Sequence, residues 1–166
     1  MSINTNSLSQ ACFSKRLPAH DPGSCAGFLL LIFFLCISAC ARQPVYPGPL
    51  RSGSDVYVDI SGLQERVPQF YTYRHNDRNI NFFVIKIDGK IVSFLDACRK
   101  CHPKKRGFRF DQDSFICRAC DERYPISEIE KGFGSCYPIH LQGRTEGGKY
   151  YISVPVLEKA AMKYFG

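Results

Sequence analysis

The chain has 166 residues, 45% of them hydrophobic, with thirteen Phe, nine Tyr, nine Cys and no Trp. That length suits one domain and leaves little room for a second. The net charge of +7 would suit nucleic acid in a cytosolic protein, but the export features at the start of the chain argue against that partner.

Residues 27–37, "GFLLLIFFLCI", form an uncharged apolar run behind a polar lead that carries Lys15 and Arg16. A membrane-spanning helix needs about 20 apolar residues, so this run fits the core of an export signal instead. It ends in Ile37-Ser38-Ala39-Cys40, which resembles the lipobox of bacterial lipoproteins. That resemblance implies cleavage after Ala39 and acylation of Cys40. An acyl chain tethers because each buried CH2 contributes about 0.8 kcal/mol. The expected organisation is a signal peptide over 1–39, a lipidated cysteine with a Pro/Gly-rich linker over 40–53, and one folded domain over 54–166. The expected location is the bacterial cell envelope, anchored to a membrane and facing the periplasm or the outside. Losing Lys15, Arg16 and Asp21 with the signal would leave the mature chain at +6.

Within the domain, "VYVDI" (56–60) alternates with period two and predicts a strand. "QFYTYR" (69–74) predicts a second, followed by the polar turn "HNDRN". In "INFFVIKIDGKIVSFLDA" (80–97), Asp88-Gly89 divides two runs of β-branched and aromatic residues, a strong hairpin signal. Near the end, "YYISVPV" (150–156) predicts a strand and "LEKAAMKYF" (157–165) a short helix. The fold class is therefore mainly β with minor α, a small β-rich α+β domain whose bulk comes from Phe and Tyr.

The chemistry concentrates in "LDACRKCHPKKRGFRFDQDSFICRACDERYP", residues 95–125. Cys98 ends a strand and Cys101 turns the chain back. "GFRF" and "SFIC" make a hairpin around "DQD", and Cys117 and Cys120 form a second turn. Fifteen residues separate the two Cys-x-x-Cys pairs, so a hairpin of that length returns the second pair beside the first. This plan of knuckle, hairpin and knuckle is what tetrahedral thiolate sites use, the two-residue spacer letting both sulfurs of a pair reach one ion. Ser127 and Glu130 then read as a capping box for a short helical stretch.

Three chemistries compete for these cysteines. Zinc, mononuclear iron or an iron–sulfur cluster suits four thiolates on Cys98, Cys101, Cys117 and Cys120. Two redox dithiols would normally open a helix in a βαβ setting, which this pattern lacks. "CRKCH" also matches attachment of a c-type haem, with His102 as the axial ligand. Pro103 disrupts that reading, and His75, His140 and Met162 offer no telling second ligand. If Cys12, Cys25 and Cys36 leave with the signal and Cys40 carries lipid, five cysteines remain, including Cys136. An odd number cannot all pair as intramolecular disulfides, which favours ligation. Export of an unfolded chain further favours zinc, copper or mononuclear iron, because a cluster would have to be built afterwards.

Arg99, Lys100, Lys104, Lys105, Arg106 and Arg109 crowd the same segment. They can offset thiolate charge, or meet anionic headgroups, an acidic redox partner or plain solvent. No Gly-x-Ser-x-Gly, His-Glu-x-x-His or phosphate-binding glycine loop is present, so metal binding or electron transfer is expected rather than catalysis.

Over residues 54–157 the chain resembles the FtrD-like family of membrane iron–sulfur-containing proteins. Asp96, Ala97, Cys98 and Cys101 match its first element, Gly107-Phe108 a Gly-Tyr step, and Cys117 and Cys120 the second pair. Tyr124-Pro125-Ile126 matches an aromatic-Pro-Ile segment, and Gly134 to Pro138 a Gly-Gly-Cys-Asn-Pro ending. Ser135 and Tyr137 depart from that ending, and Asp121 stands where a glycine often follows the second pair. The resemblance implies a membrane-linked protein with a cysteine-ligated metal or iron–sulfur group, working in iron uptake or redox handling of iron with a membrane partner. It also brings Cys136 into the site. The alternatives that stay open are a structural zinc module and a thiol–disulfide oxidoreductase.

Overall fold

The structure, a computed structural model, describes residues 43–131 and 136–165. The signal, the lipobox with Cys40, Gly134 and Ser135 lie outside the described residues. Among the described residues eleven strands, β1 Leu50–Ser52, β2 Asp55–Asp59, β3 Gln69–His75, β4 Arg78–Ile87, β5 Lys90–Cys98, β6 Phe108–Asp111, β7 Ser114–Cys117, β8 Arg123–Pro125, β9 Pro138–Leu141, β10 Arg144–Glu146 and β11 Lys149–Ser153, precede one α-helix, α1 Val154–Tyr164. They form three antiparallel sheets, ordered β1-β2-β11-β10, β3-β4-β5-β9 and β6-β7-β8. The mainly β architecture with one helix is the expected class.

Tight turns set the registers. Asp88-Gly89 joins β4 to β5 with both φ angles positive, and Asn76-Asp77 and Gly147-Gly148 do the same for their hairpins. Two successive left-handed residues twist a two-residue loop the same way as the strands it joins.

The long apolar run in β4 is explained by burial on both faces. Ile80, Phe82 and Val84 enter one core with Val56, Val58, Ile152 and Leu157. Phe83, Ile85 and Ile87 enter a second core with Phe94, Phe108, Phe115 and Ile126. Strand alternation places Cys98 on that second face, among the residues of the third sheet. Phe83 ties the two sheets together, its ring centroid 4.5 Å from that of Phe115, 5.2 Å from Phe70 and 5.4 Å from Phe94. Phe83→Ala is expected to cost about 3–5 kcal/mol in urea unfolding, from lost transfer energy and the cavity left behind.

The structure departs from the sequence reading in several places. Residues 43–49, whose composition reads as a spacer, lie against the domain. Tyr46 stacks on Phe70 at 5.0 Å, its N–H donates to Thr72 Oγ1 at 2.8 Å, and Asn81 Nδ2 donates to the Pro44 carbonyl at 2.8 Å. Prolines keep their carbonyls as acceptors, so a Pro-rich segment can be held this way without periodicity of its own. Val154-Pro155-Val156 belongs to the first turn of α1 rather than to a strand; proline is tolerated there because its missing N–H would have no helical partner. The capping box does not form. Ile126–Glu128 is a single 3-10 turn capped by Pro125, without a side-chain cap bond, and is too short to supply the donors a box would satisfy. Among the described residues no helix is long and apolar enough to cross a membrane.

Candidate metal centre

Three segments deliver the five cysteines. Strand β5 ends on Cys98, and the 3-10 turn His102–Lys104 follows Cys101. Strand β7 ends on Cys117, and the chain reverses through Cys120 so that Asp121 N–H donates to the Cys117 carbonyl at 2.8 Å and Cys117 N–H to the Glu122 carbonyl at 2.9 Å. Asp121 sits at φ 57°, in the left-handed region that a glycine would enter without steric cost. The expected knuckle, hairpin and knuckle are thus present. Cys136 arrives from elsewhere: β9 pairs with β5, Pro138 opposite Cys98, and Arg99 N–H donates to the Tyr137 carbonyl at 3.0 Å. That pairing lays Cys136 beside the first knuckle.

The five sulfurs converge. Cys136 Sγ lies 3.8 Å from Cys101 Sγ and 3.6 Å from Cys120 Sγ. The sulfurs of Cys98, Cys101 and Cys136 lie within 4.8 Å of one another, as do those of Cys101, Cys117 and Cys120. Cys101 is common to both groups, and neither contains a histidine or a carboxylate. All five are free thiols. Cys98, Cys117 and Cys136 are buried, Cys101 is partly exposed and Cys120 is open to solvent, so the set has a covered floor and an accessible edge.

Backbone donors line the sulfurs, as they do where thiolates are to be held. Cys101 N–H points to Cys98 Sγ at 3.4 Å, Ala119 and Cys120 N–H to Cys117 Sγ, and Glu122 N–H to Cys120 Sγ. The interaction of Cys98 with Cys117 divides the pair, pushing the Cys98 thiol up and the Cys117 thiol down. Burial pushes up both Cys101 and Cys120, so gathering these sulfurs as thiolates calls for a compensating cation.

Two residues outside the cysteine pattern shape the site. Asp96 is fully buried two residues before Cys98, on the same face of β5. Its Oδ1 accepts the Phe108 N–H at 2.5 Å, and Gln43 Nε2 donates to its Oδ2 at 3.2 Å. The carboxylate therefore staples the end of β5 to the start of β6 and closes the loop between them. Burial raises its pKa to about 7, opposed by the Phe108 N–H and the Arg118 charge. Gly107 (φ 65°) passes directly over it. The second residue is Tyr124, buried in β8; burial first, then the nearby Cys136 sulfur, push its pKa up. An acid inside the otherwise apolar "FLDAC" was the signal for Asp96, whereas nothing in the sequence marked Tyr124 as a neighbour of Cys136.

His102 stands apart from the sulfur groups. Its Nδ1 lies 3.0 Å from the Arg99 carbonyl and its ring meets Tyr164 edge-on at 5.2 Å. Both thiols of "CRKCH" are gathered into the five-sulfur set. The six cations Arg99, Lys100, Lys104, Lys105, Arg106 and Arg109 are all exposed and take part in no ion pair among the described residues.

No match is found among curated proteins. A family model described as "Membrane iron-sulfur containing protein FtrD-like" matches residues 63–165, from before β3 to the end of α1 and across all five cysteines. The chain belongs to the FtrD-like family of membrane iron–sulfur-containing proteins.

Proposed function

We propose that this chain is an exported, lipid-anchored protein whose cysteine centre holds a redox-active metal and passes electrons, or handles iron, at the cell envelope. The observation that carries the reading is the convergence of Cys98, Cys101, Cys117, Cys120 and Cys136 from three separate segments. Iron is the metal the family description favours, and thiolates suit it. The covered floor formed by Cys98 and Cys117 and the open edge at Cys101 and Cys120 suit a centre that exchanges electrons with a docked molecule. The exposed cations around the first knuckle offset thiolate charge and present a basic rim to a redox or iron-transport partner in the membrane. Acylation of Cys40 would hold the domain at that membrane.

The test is a redox titration of the full chain isolated from the membrane fraction, followed by visible absorption. A thiolate-to-iron band that bleaches and returns reversibly is the expected result. A colourless protein carrying zinc would leave a structural module instead, and a metal-free protein with a cycling disulfide would make it a thiol oxidoreductase.

A further inference from the structure

Residues 43–46 run as a strap across the β3-β4-β5 sheet, bonded to each strand in turn. Tyr46 N–H donates to Thr72 Oγ1 in β3 at 2.8 Å, and Asn81 Nδ2 in β4 donates to the Pro44 carbonyl at 2.8 Å. Gln43 Nε2 donates to the carbonyl and the carboxylate of Asp96 in β5, at 2.5 and 3.2 Å. Thr72 is paired with Asn81, and Asp96 follows Leu95, the partner of Phe82, so the strap tracks one row of the sheet. Only Ala41 and Arg42 then separate Gln43 from Cys40. Three residue steps reach at most about 11 Å. An acyl group on Cys40 therefore leaves this part of the domain little room to stand off from the lipid.

The surface around the strap suits that neighbour. Val45 is pinned on both sides by the bonds at Pro44 and Tyr46, yet it is 59% exposed. It lines two open clefts, one shared with Arg74 and the other with Arg78 and Lys105. All three cations are exposed and take part in no ion pair among the described residues. Asp77 is the one carboxylate lining either cleft, so positive charge prevails. An apolar residue flanked by cations fits the boundary between anionic headgroups and acyl chains. The valine enters the apolar layer, and the long Arg and Lys side chains reach the phosphates. An acidic protein would also meet the cations, but the short covalent path to Cys40 puts lipid there first.

We infer that Val45, Arg74, Arg78 and Lys105 form the face of the domain that rests on the membrane, and that this face binds anionic phospholipid headgroups. The inference rests on the acylation of Cys40 proposed above and gives the anchored domain an orientation. Because Gln43 is bonded to Asp96, two residues from Cys98, the same strap holds the metal centre near the bilayer surface.

The chain has no Trp, so Val45→Trp supplies a single fluorophore on the proposed face. Val67→Trp is the control, at a position 43% exposed that precedes the far end of β3 from Arg74. Each full chain, isolated from the membrane fraction, is reconstituted into vesicles of brominated phosphatidylcholine with or without phosphatidylglycerol. Circular dichroism verifies that each variant is folded. The expected result is strong bromine quenching of Val45→Trp in the anionic vesicles, weak quenching in the neutral ones, and little at Val67→Trp in either. Each Lys or Arg near an anionic surface strengthens association about fivefold, so adding Arg74→Glu, Arg78→Glu and Lys105→Glu should abolish the difference between the vesicles. Quenching of Val45→Trp that ignores phosphatidylglycerol or the charge reversals, or equal quenching at Val67→Trp, would overturn the inference and leave the anchor reading standing. Intact mass of the same samples reports on Cys40. A chain without the acyl group would overturn the anchor reading, and this inference with it.

Discussion

Cys117→Ser is expected to weaken metal binding by the full chain about a hundred- to a thousandfold. A structural thiolate site supplies about 10–16 kcal/mol in all, so the share of one ligand among four is about 3–4 kcal/mol, and each 1.4 kcal/mol is tenfold. Cys117 should show the full share. It is 1% exposed, so water cannot readily replace it. The Cys98 thiol and the N–H groups of Ala119 and Cys120 together lower its pKa, an environment that favours a thiolate. A serine hydroxyl there would stay protonated and be a poor partner for a soft ion. Competition against a coloured chelator measures the change; a shift of less than tenfold would remove Cys117 from the ligand set.

Gly107→Ala is expected to destabilise the domain by about 2–5 kcal/mol, combining the left-handed backbone cost of about 1–2 kcal/mol with overpacking of about 1–3 kcal/mol. Gly107 has φ 65°, and an added Cβ would stand 2.5 Å from both carboxylate oxygens of Asp96. That carboxylate cannot swing aside, because Phe108 N–H and Gln43 hold it in the core. Gly148→Ala is the control. Its φ is 73°, but no atom lies within 4 Å of an added Cβ, so only the backbone cost of about 1–2 kcal/mol should appear. Urea unfolding of the two variants separates the effects, and equal losses would contradict the role given to the Asp96 contact. Because the same contact closes the loop that carries Cys101, Gly107→Ala should also weaken metal binding.

What could be read from the sequence follows how local each signal is. The hairpin at Asp88-Gly89 and the alternation around it reveal β4 and β5, because two left-handed residues between apolar runs have few other uses. The two knuckles could be read for the same reason: a Cys-x-x-Cys turn is a local motif, and the hairpin between the pairs is short. Cys136 is a different case. It joins the set only because β9 pairs with β5 across some forty residues of sequence, and composition carries no trace of that register. Strands β1, β8 and β10 have three residues each, too few for a period to register. The packing of residues 43–49 rests on Tyr46 against Phe70 and on single hydrogen bonds to Thr72 and Asn81. A Pro-rich composition reads as extended chain whether or not such partners exist.

The central claim is that cysteine sulfur alone, gathered from three segments, surrounds the metal. X-ray absorption at the metal edge of the full chain, isolated with its native metal, tests it most directly. The account predicts a shell of sulfur alone at about 2.3 Å around the metal. A shell containing nitrogen or oxygen would contradict it.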